Sequence, residues 1–258
     1  MTLHIHPDGH GYGWRRGLPS HKFGPRRCSF VDPASLPKEV DLRPQQPPVY
    51  DQGALGSCTA NAWGGFYEFM AKKAGRDMGT PSRLFIYYNE RALNGQAADD
   101  AGASLADGAS TLSTEGAPPE TDWPYDIARF ADEPPQSAYN DGEARLILDP
   151  HQVAQDMTTM KEVLANGYNI PIGFTVFESF ESVEVAATGM VPMPAASEKQ
   201  LGGHAVEIVG YSDSKSMWIV RNSWGIGWGQ DGFCLFPYAY LLSPQLADDF
   251  WSATRISG

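Results

Sequence analysis

Apolar positions recur at helical spacing in the first half of the chain and gather into short runs in the second. Ala62, Trp63, Phe66, Tyr67, Phe69, Met70 and Ala74 share one helical face, and Gly75 ends the run. A second amphipathic helix is predicted over about 82–93, closed by Asn94-Gly95, and a third over about 104–114, closed by Gly116. Before the first helix, Pro37, Pro44, Pro47 and Pro48 keep residues 36–50 extended or turning. Between the halves, Pro118, Pro119, Pro124, Pro134 and Pro135 make 117–150 read as long loops. Residues 170–177, 205–211, 217–221 and 232–236 are apolar runs broken by Gly, Ser and Asp, and are predicted strands. Helices first and strands second point to an α+β fold of two lobes, with a cleft between them as the natural site.

Residues 1–35 show no periodicity and read as an extension that lies on the domain or dangles from it. The folded unit is then 36–258, with about 50–150 helical and about 151–258 rich in strands. His4, His6 and His10 are potential metal ligands, yet no acidic or Cys cluster accompanies them, so the segment reads as a plain chain end. No metal and no cofactor is expected.

Composition narrows the class. Apolar residues form 42% and charged residues 19% of the 258, which is a globular balance. No run approaches the ~18 apolar residues that span a bilayer, and the start has no apolar signal core. A cytoplasmic location is the expectation, unless a signal was removed or is of an unusual kind. The net charge of −12 argues against nucleic acid and anionic membranes as partners. Residues 1–35 run against that charge. Arg15, Arg16, Lys22, Arg26 and Arg27 outnumber Asp8 and Asp32, a net of +3 that leaves −15 on the body. Three cysteines (Cys28, Cys58, Cys234) give no disulfide framework and leave at least one free thiol, which suits a reducing compartment.

The candidate chemistry starts at Asp51-Gln52-Gly53-Ala54-Leu55-Gly56-Ser57-Cys58. Cys58 falls where a Gly-rich turn becomes a helix. Unpaired N–H groups and the helix dipole there favour a thiolate and lower the thiol pKa. Gln52 carries a side-chain amide that can join the Cys58 N–H in an oxyanion hole. A buried structural cysteine is the alternative reading. His204 follows Gly202-Gly203 at the edge of a predicted strand, and Asn222 ends the next strand. If these strands pair as a hairpin, the Asn222 carbonyl can fix the imidazole, with Trp224 laid over the bond to exclude water. Structural roles for His204 and for Trp224 and Trp228 remain open at this point.

Together the motifs resemble the papain family. Gln-Gly-x-x-Gly-Ser-Cys stands at 52–58, Gly-His-Ala at 203–205, Asn-Ser-Trp-Gly at 222–225 and Gly-Trp-Gly-Gln-Asp-Gly at 227–232. Leu36-Pro37-Lys38-Glu39-Val40-Asp41 is similar to the start of a mature domain of that family, so the likeness covers about 36–258. In style it is nearest to bacterial members. The resemblance implies a helical left lobe, an antiparallel β-barrel-like right lobe and peptide hydrolysis through an acyl-enzyme in the cleft. It makes Cys58 the nucleophile, paired with His204 as an ion pair, Asn222 the group that orients His204, and Gln52 an oxyanion donor. It sets Gly102, Ala103, Gly203, Trp224 and Asp249 near the bound peptide. Leu55 and Thr59 depart from the family's secreted members, which carry cysteine and tryptophan there. No long helical prodomain precedes the domain. Even so, ~35 extended residues reach ~100 Å, enough for the N-terminal segment to cross the cleft as an inhibitor. A peptide ligase, cyclase or acyltransferase would share the triad. A non-catalytic peptide binder on the same fold is the other rival, and the intact set of four residues weighs against it.

Overall fold

A computed structural model describes residues 4–16 and 35–257. The helical half contains α1 (Cys58–Lys73), α2 (Arg83–Ala92), α3 (Leu105–Thr114) and α4 (Gln136–Gly142). The first three match the predicted helices. The fourth was not anticipated, because its seven residues are too few to show a helical period between prolines. Local capping chemistry sets the starts. Ser82 accepts the N–H of Phe85, and Ser104 and Asp107 form a reciprocal capping box. Ser57, before α1, makes no side-chain cap, so the first-turn N–H groups remain available around Cys58.

The sheet half is antiparallel. Its strands are β1 (Glu39–Asp41), β3 (Ile170–Phe177), β4 (Gln200–Ser212), β5 (Met217–Arg221), β6 (Phe233–Pro237) and β7 (Ala247–Asp248). A small pair of β2 (His151–Gln152) and β8 (Trp251–Ser252) lies beside it. The order β6-β5-β4-β3-β7, with β1 continuing along β4, is an open sheet. The barrel-like expectation is corrected to that extent, since the edge strands do not pair to close it. Phe174 stands opposite His204, and Glu207 opposite Arg221. This register brings the start of β4 and the end of β5 towards the α1 N-terminus.

Close approach of α1 to the sheet depends on Gly65. A side chain there would set its first carbon 2.2 Å from both Arg221 Nη1 and Glu207 Oε1. Those two form a fully buried ion pair of 2.9 Å between β4 and β5. Asn169 donates to Glu207, and Arg221 also donates to the Pro48 carbonyl. Burial raises the Glu207 carboxyl, and Arg221 and Asn169 oppose it. Arg221→Met is expected to leave an uncompensated buried acid and to cost about 3–5 kcal/mol. That loss lowers Tm by roughly 6–20 °C for a chain of this size. A lone buried Glu207 holds its proton above its unfolded value, so the loss grows as pH rises through the ordinary carboxylate range. Calorimetry at two pH values checks this, and Glu207→Gln in the same chain should recover part of the loss. An unchanged Tm would show that the pair does not hold the strands.

Candidate active site

Three elements meet at one point: the α1 N-terminus with Cys58, β4 with His204, and the end of β5 with Asn222. His204 Nε2 and Asn222 Oδ1 are 2.8 Å apart and buried. That contact fixes the tautomer, with the proton on Nε2, and turns Nδ1 inward. Nδ1 is buried with no hydrogen-bond partner among the described residues. The Trp224 ring lies 4.9 Å from the imidazole and covers it, as the sequence suggested. Gln52 is held rigidly. Ser223 Oγ donates to Gln52 Oε1 at 2.7 Å, the Gln52 N–H donates to the Ser223 carbonyl, and Tyr125 donates to the Gln52 carbonyl. The Gln52 amide nitrogen therefore points into the site. Ser223 and Tyr125 were not found by sequence reasoning. The only signal for Ser223 was its place beside Asn222.

Residues 4–16 do not behave as a plain chain end. They cross this site. The backbones of Gly13 and Ala205 lie near the Cys58 sulfur and favour its charged form. The carbonyl of Gly11 accepts from Gln52 Nε2 at 2.8 Å. Trp14 forms a parallel bridge with Ala103, through Ala103 N–H to Gly13 O at 2.9 Å and Arg15 N–H to Ala103 O at 2.8 Å. The Trp14 N–H donates to the Gly203 carbonyl at 3.0 Å. Its indole N–H donates to Asp249 Oδ2 at 3.2 Å. Tyr12 packs edge-on against His204. The arm thus touches Gly102, Ala103, Gly203, Trp224 and Asp249, all five residues that the resemblance set near a bound peptide. Glycines make the fit possible. A first side-chain carbon on Gly13 would stand 1.6 Å from the Gly56 carbonyl oxygen, and one on Gly173 would stand 1.8 Å from the Trp14 ring.

The polar side chains of the arm also find partners. Arg16 pairs with Asp248 at 3.2 Å, His4 with Glu181 at 2.8 Å and His10 with Asp51 at 3.1 Å. Arginines 26 and 27, Lys22, Asp32 and Cys28 lie outside the described residues. The expectation that no acid accompanies the histidines is corrected: Asp8 lies between His6 and His10.

Burial reverses the expected electrostatics. It pushes the Cys58 thiol up to about 12 against the pull of backbone N–H groups, and the His204 imidazole down to about 3 despite Asn222. Burial under the arm thus works against the charged forms of both groups. Thr59 donates to Glu90 at 2.7 Å, and burial holds that carboxyl well above its usual range. The Glu90 carboxyl adds to the rise of the Cys58 thiol. Cys234 is also buried, and burial pushes its thiol up.

A pH dependence follows. An ordinary imidazole titrates near 6.5, whereas His204 under the arm holds out to about 3. Taken by itself, His204 in an opened site binds more protons between those values, and the Cys58→Ala chain isolates that effect from proton transfer within the pair. The advantage of the closed arm is therefore whole above about pH 6.5 and is lost as pH falls towards 3, by about tenfold per pH unit. Hydrogen exchange at the amides of residues 11–15, corrected for intrinsic rates, is expected to speed up in acid. A flat corrected profile would refute this.

Comparison with known proteins agrees with the geometry. A family model described as papain family cysteine protease matches residues 36–240. An uncharacterized peptidase C1-like protein of Acanthamoeba polyphaga mimivirus is 42% identical over 241 residues, covering 88% of this chain and 78% of that protein. Among solved structures, xylellain, a cysteine protease from Xylella fastidiosa, superposes with a TM-score of 0.90 at 35% identity over 98% of both chains. A digestive procathepsin L2 from the Tenebrio molitor larval midgut shares the fold, with a TM-score of 0.73 at 23% identity over 98% of this chain and 84% of that one.

Proposed function

Because the chain belongs to the papain family of cysteine proteases and is a cysteine peptidase, we propose that it hydrolyses peptide bonds through a Cys58 thioester and is held latent by its own residues 4–16. Once the arm leaves, Cys58 gives its proton to His204 Nδ1 and attacks the scissile carbonyl. The oxyanion forms against Gln52 Nε2 and the Cys58 N–H. His204 protonates the departing amine, then draws a proton from water as that water opens the thioester, and the thiol is restored. Asn222 keeps the imidazole aligned throughout.

One observation carries the latency. The Gly11 carbonyl occupies the Gln52 amide, and Trp14 and Tyr12 fill the cleft on either side, so the arm takes the place that a substrate would need. The place of Trp14, bounded by Ala103, Gly173, Gly203 and Asp249, then serves as a pocket for a large side chain. A ring with an N–H at its far edge suits the Asp249 carboxylate.

The test uses the full chain with Gly13→Ala, whose arm cannot seat, on a peptide library with an added amine. Mass spectrometry is expected to find free carboxyl products, enriched for large aromatic residues on one side of the cut. Amide products in excess would reassign the reaction to acyl transfer. Absence of turnover in a folded protein would sink the peptidase mechanism.

A further inference from the structure

The hairpin at the tip of the arm gathers three metal-ligating side chains that latency itself does not require. Ile5 and Gly11 form an antiparallel bridge, the His6 N–H donates to the His10 carbonyl at 2.7 Å, and the Gly9 N–H donates to the His6 carbonyl at 2.8 Å. Gly9 has φ +99°, a conformation that suits glycine. His6, Asp8 and His10 alternate along this turn, and one ligand atom from each lies within 4.8 Å of the others.

The ring nitrogens are over-supplied with acceptors. Asp8 Oδ1 touches both His6 Nδ1 and His10 Nδ1, the second at 2.7 Å. The Asp8 N–H also donates to His6 Nδ1 at 3.2 Å. A nitrogen that accepts this N–H turns its lone pair, not a proton, towards the carboxylate. His10 faces a carboxylate on each side, Asp8 at Nδ1 and Asp51 Oδ1 at 3.1 Å from Nε2, and a neutral imidazole can donate to only one of them. His6 Nε2 is buried with no hydrogen-bond partner among the described residues. A cation held by the two Nδ1 atoms and Asp8 resolves the crowding of ring nitrogens around the Asp8 carboxylate and the double demand on His10. The imidazole protons then sit on Nε2, and that of His10 is donated to Asp51, the usual outer support of a metal-bound histidine.

We propose that His6, Asp8 and His10 bind a divalent transition-metal ion, Zn²⁺ by ligand type, that pins the hairpin over the active site. Two imidazoles and one carboxylate suit zinc, with water in the fourth position beside the half-exposed Asp8. Tetrahedral ligands at ~2 Å stand about 3.3 Å apart, so the contacts need only open slightly. The ion acts on the site through Trp224. Its ring lies 4.8 Å from His6, 5.1 Å from His10 and 4.9 Å from His204. An ion that binds only the seated hairpin raises the ratio of closed to open chains by the factor one plus its concentration over its Kd. This role rests on the reading that the arm blocks the site, while ion binding itself does not.

The test uses the full chain with Cys58→Ala, so that no catalytic thiolate competes for the ion. Zn²⁺ titrated by calorimetry is expected to bind at one equivalent and to raise Tm. His6→Ala with His10→Ala is expected to weaken binding by about 100-fold or more, and Asp8→Asn by on the order of tenfold. Each variant is compared with its own metal-free Tm, and Zn²⁺ should raise neither by as much as it raises the parent's. Saturating Zn²⁺ should also slow exchange of the Gly13 and Trp14 amides in the parent, but not in the double variant. Binding that survives the double substitution would place the ion elsewhere and overturn the proposal. Absence of binding would overturn it as well, reducing the three groups to a hydrogen-bonded turn while arm removal could still activate. Binding through these residues with no change in exchange would uphold the site and overturn the pinning.

Discussion

In a chain whose arm cannot seat, Cys58→Ala and His204→Ala are each expected to lower kcat/KM on a peptide by on the order of 10⁴-fold or more. Cys58 forms the covalent bond and His204 moves every proton, so no neighbour can replace either. Asn222→Ala should cost less, because the asparagine only holds Nε2 through its 2.8 Å contact. It also accepts the Ser223 N–H, so Tm must be measured beside the rate. Gln52→Ala should cost roughly 10–1000-fold, the range for one lost oxyanion donor. Ser223→Ala should cost part of that, since the hydroxyl keeps the Gln52 amide from turning over. Limiting iodoacetamide should label Cys58 ahead of Cys234, which lies buried away from the α1 N-terminus. Near-full activity in all of the Cys58, His204 and Asn222 variants would refute the mechanism while leaving the fold untouched.

Much of this site was legible because its residues answer to local rules. Cys58 had to begin a helix, since Gly53 and Gly56 precede a run with helical spacing. His204 and Asn222 had to sit at neighbouring strand ends, since each borders an apolar run. Strands 170–177 and 217–221 match β3 and β5 to the residue, because full burial gives them uniform apolar character. What escaped depends on partners far along the chain. Nothing near Glu207 or Arg221 announces that each neutralises the other beneath Gly65. The direction of the Cys58 shift escaped too, because a dipole can be read from a helix start, whereas burial comes from the arm. The arm itself had one signal. Gly11-Tyr12-Gly13-Trp14 alternates glycine with large aromatics, the pattern of an extended chain that presses its backbone to a surface and fills pockets with every second side chain.

Gly13→Ala and Trp14→Ala are each expected to activate the full-length enzyme, and deletion of residues 1–34 should do so most. Opening the arm exposes Trp14 and Tyr12, which are now 6% and 2% exposed. Losing the Trp14 side chain removes about 2–3 kcal/mol of burial, or roughly 30–150-fold in the open population at 1.4 kcal/mol per decade. Salt should do less than the +3 arm on a −15 body suggested. Arg16 and Asp248 are both half exposed at their 3.2 Å contact, and exposed pairs contribute only about 0–1 kcal/mol. Apolar burial and the main-chain bonds to Ala103 and Gly203 do not weaken with ionic strength. The comparison is kcat/KM on one small peptide for full-length, substituted and trimmed chains at low and high salt. Activation by Gly13→Ala separates a blocked cleft from a merely tethered end, because this change adds one carbon where the Gly56 carbonyl leaves no room. If all these chains share one kcat/KM while the trimmed domain stays folded, the arm does not gate the site. If salt alone fully activates the full-length chain, the arm is held by charge and the apolar account of its docking is wrong.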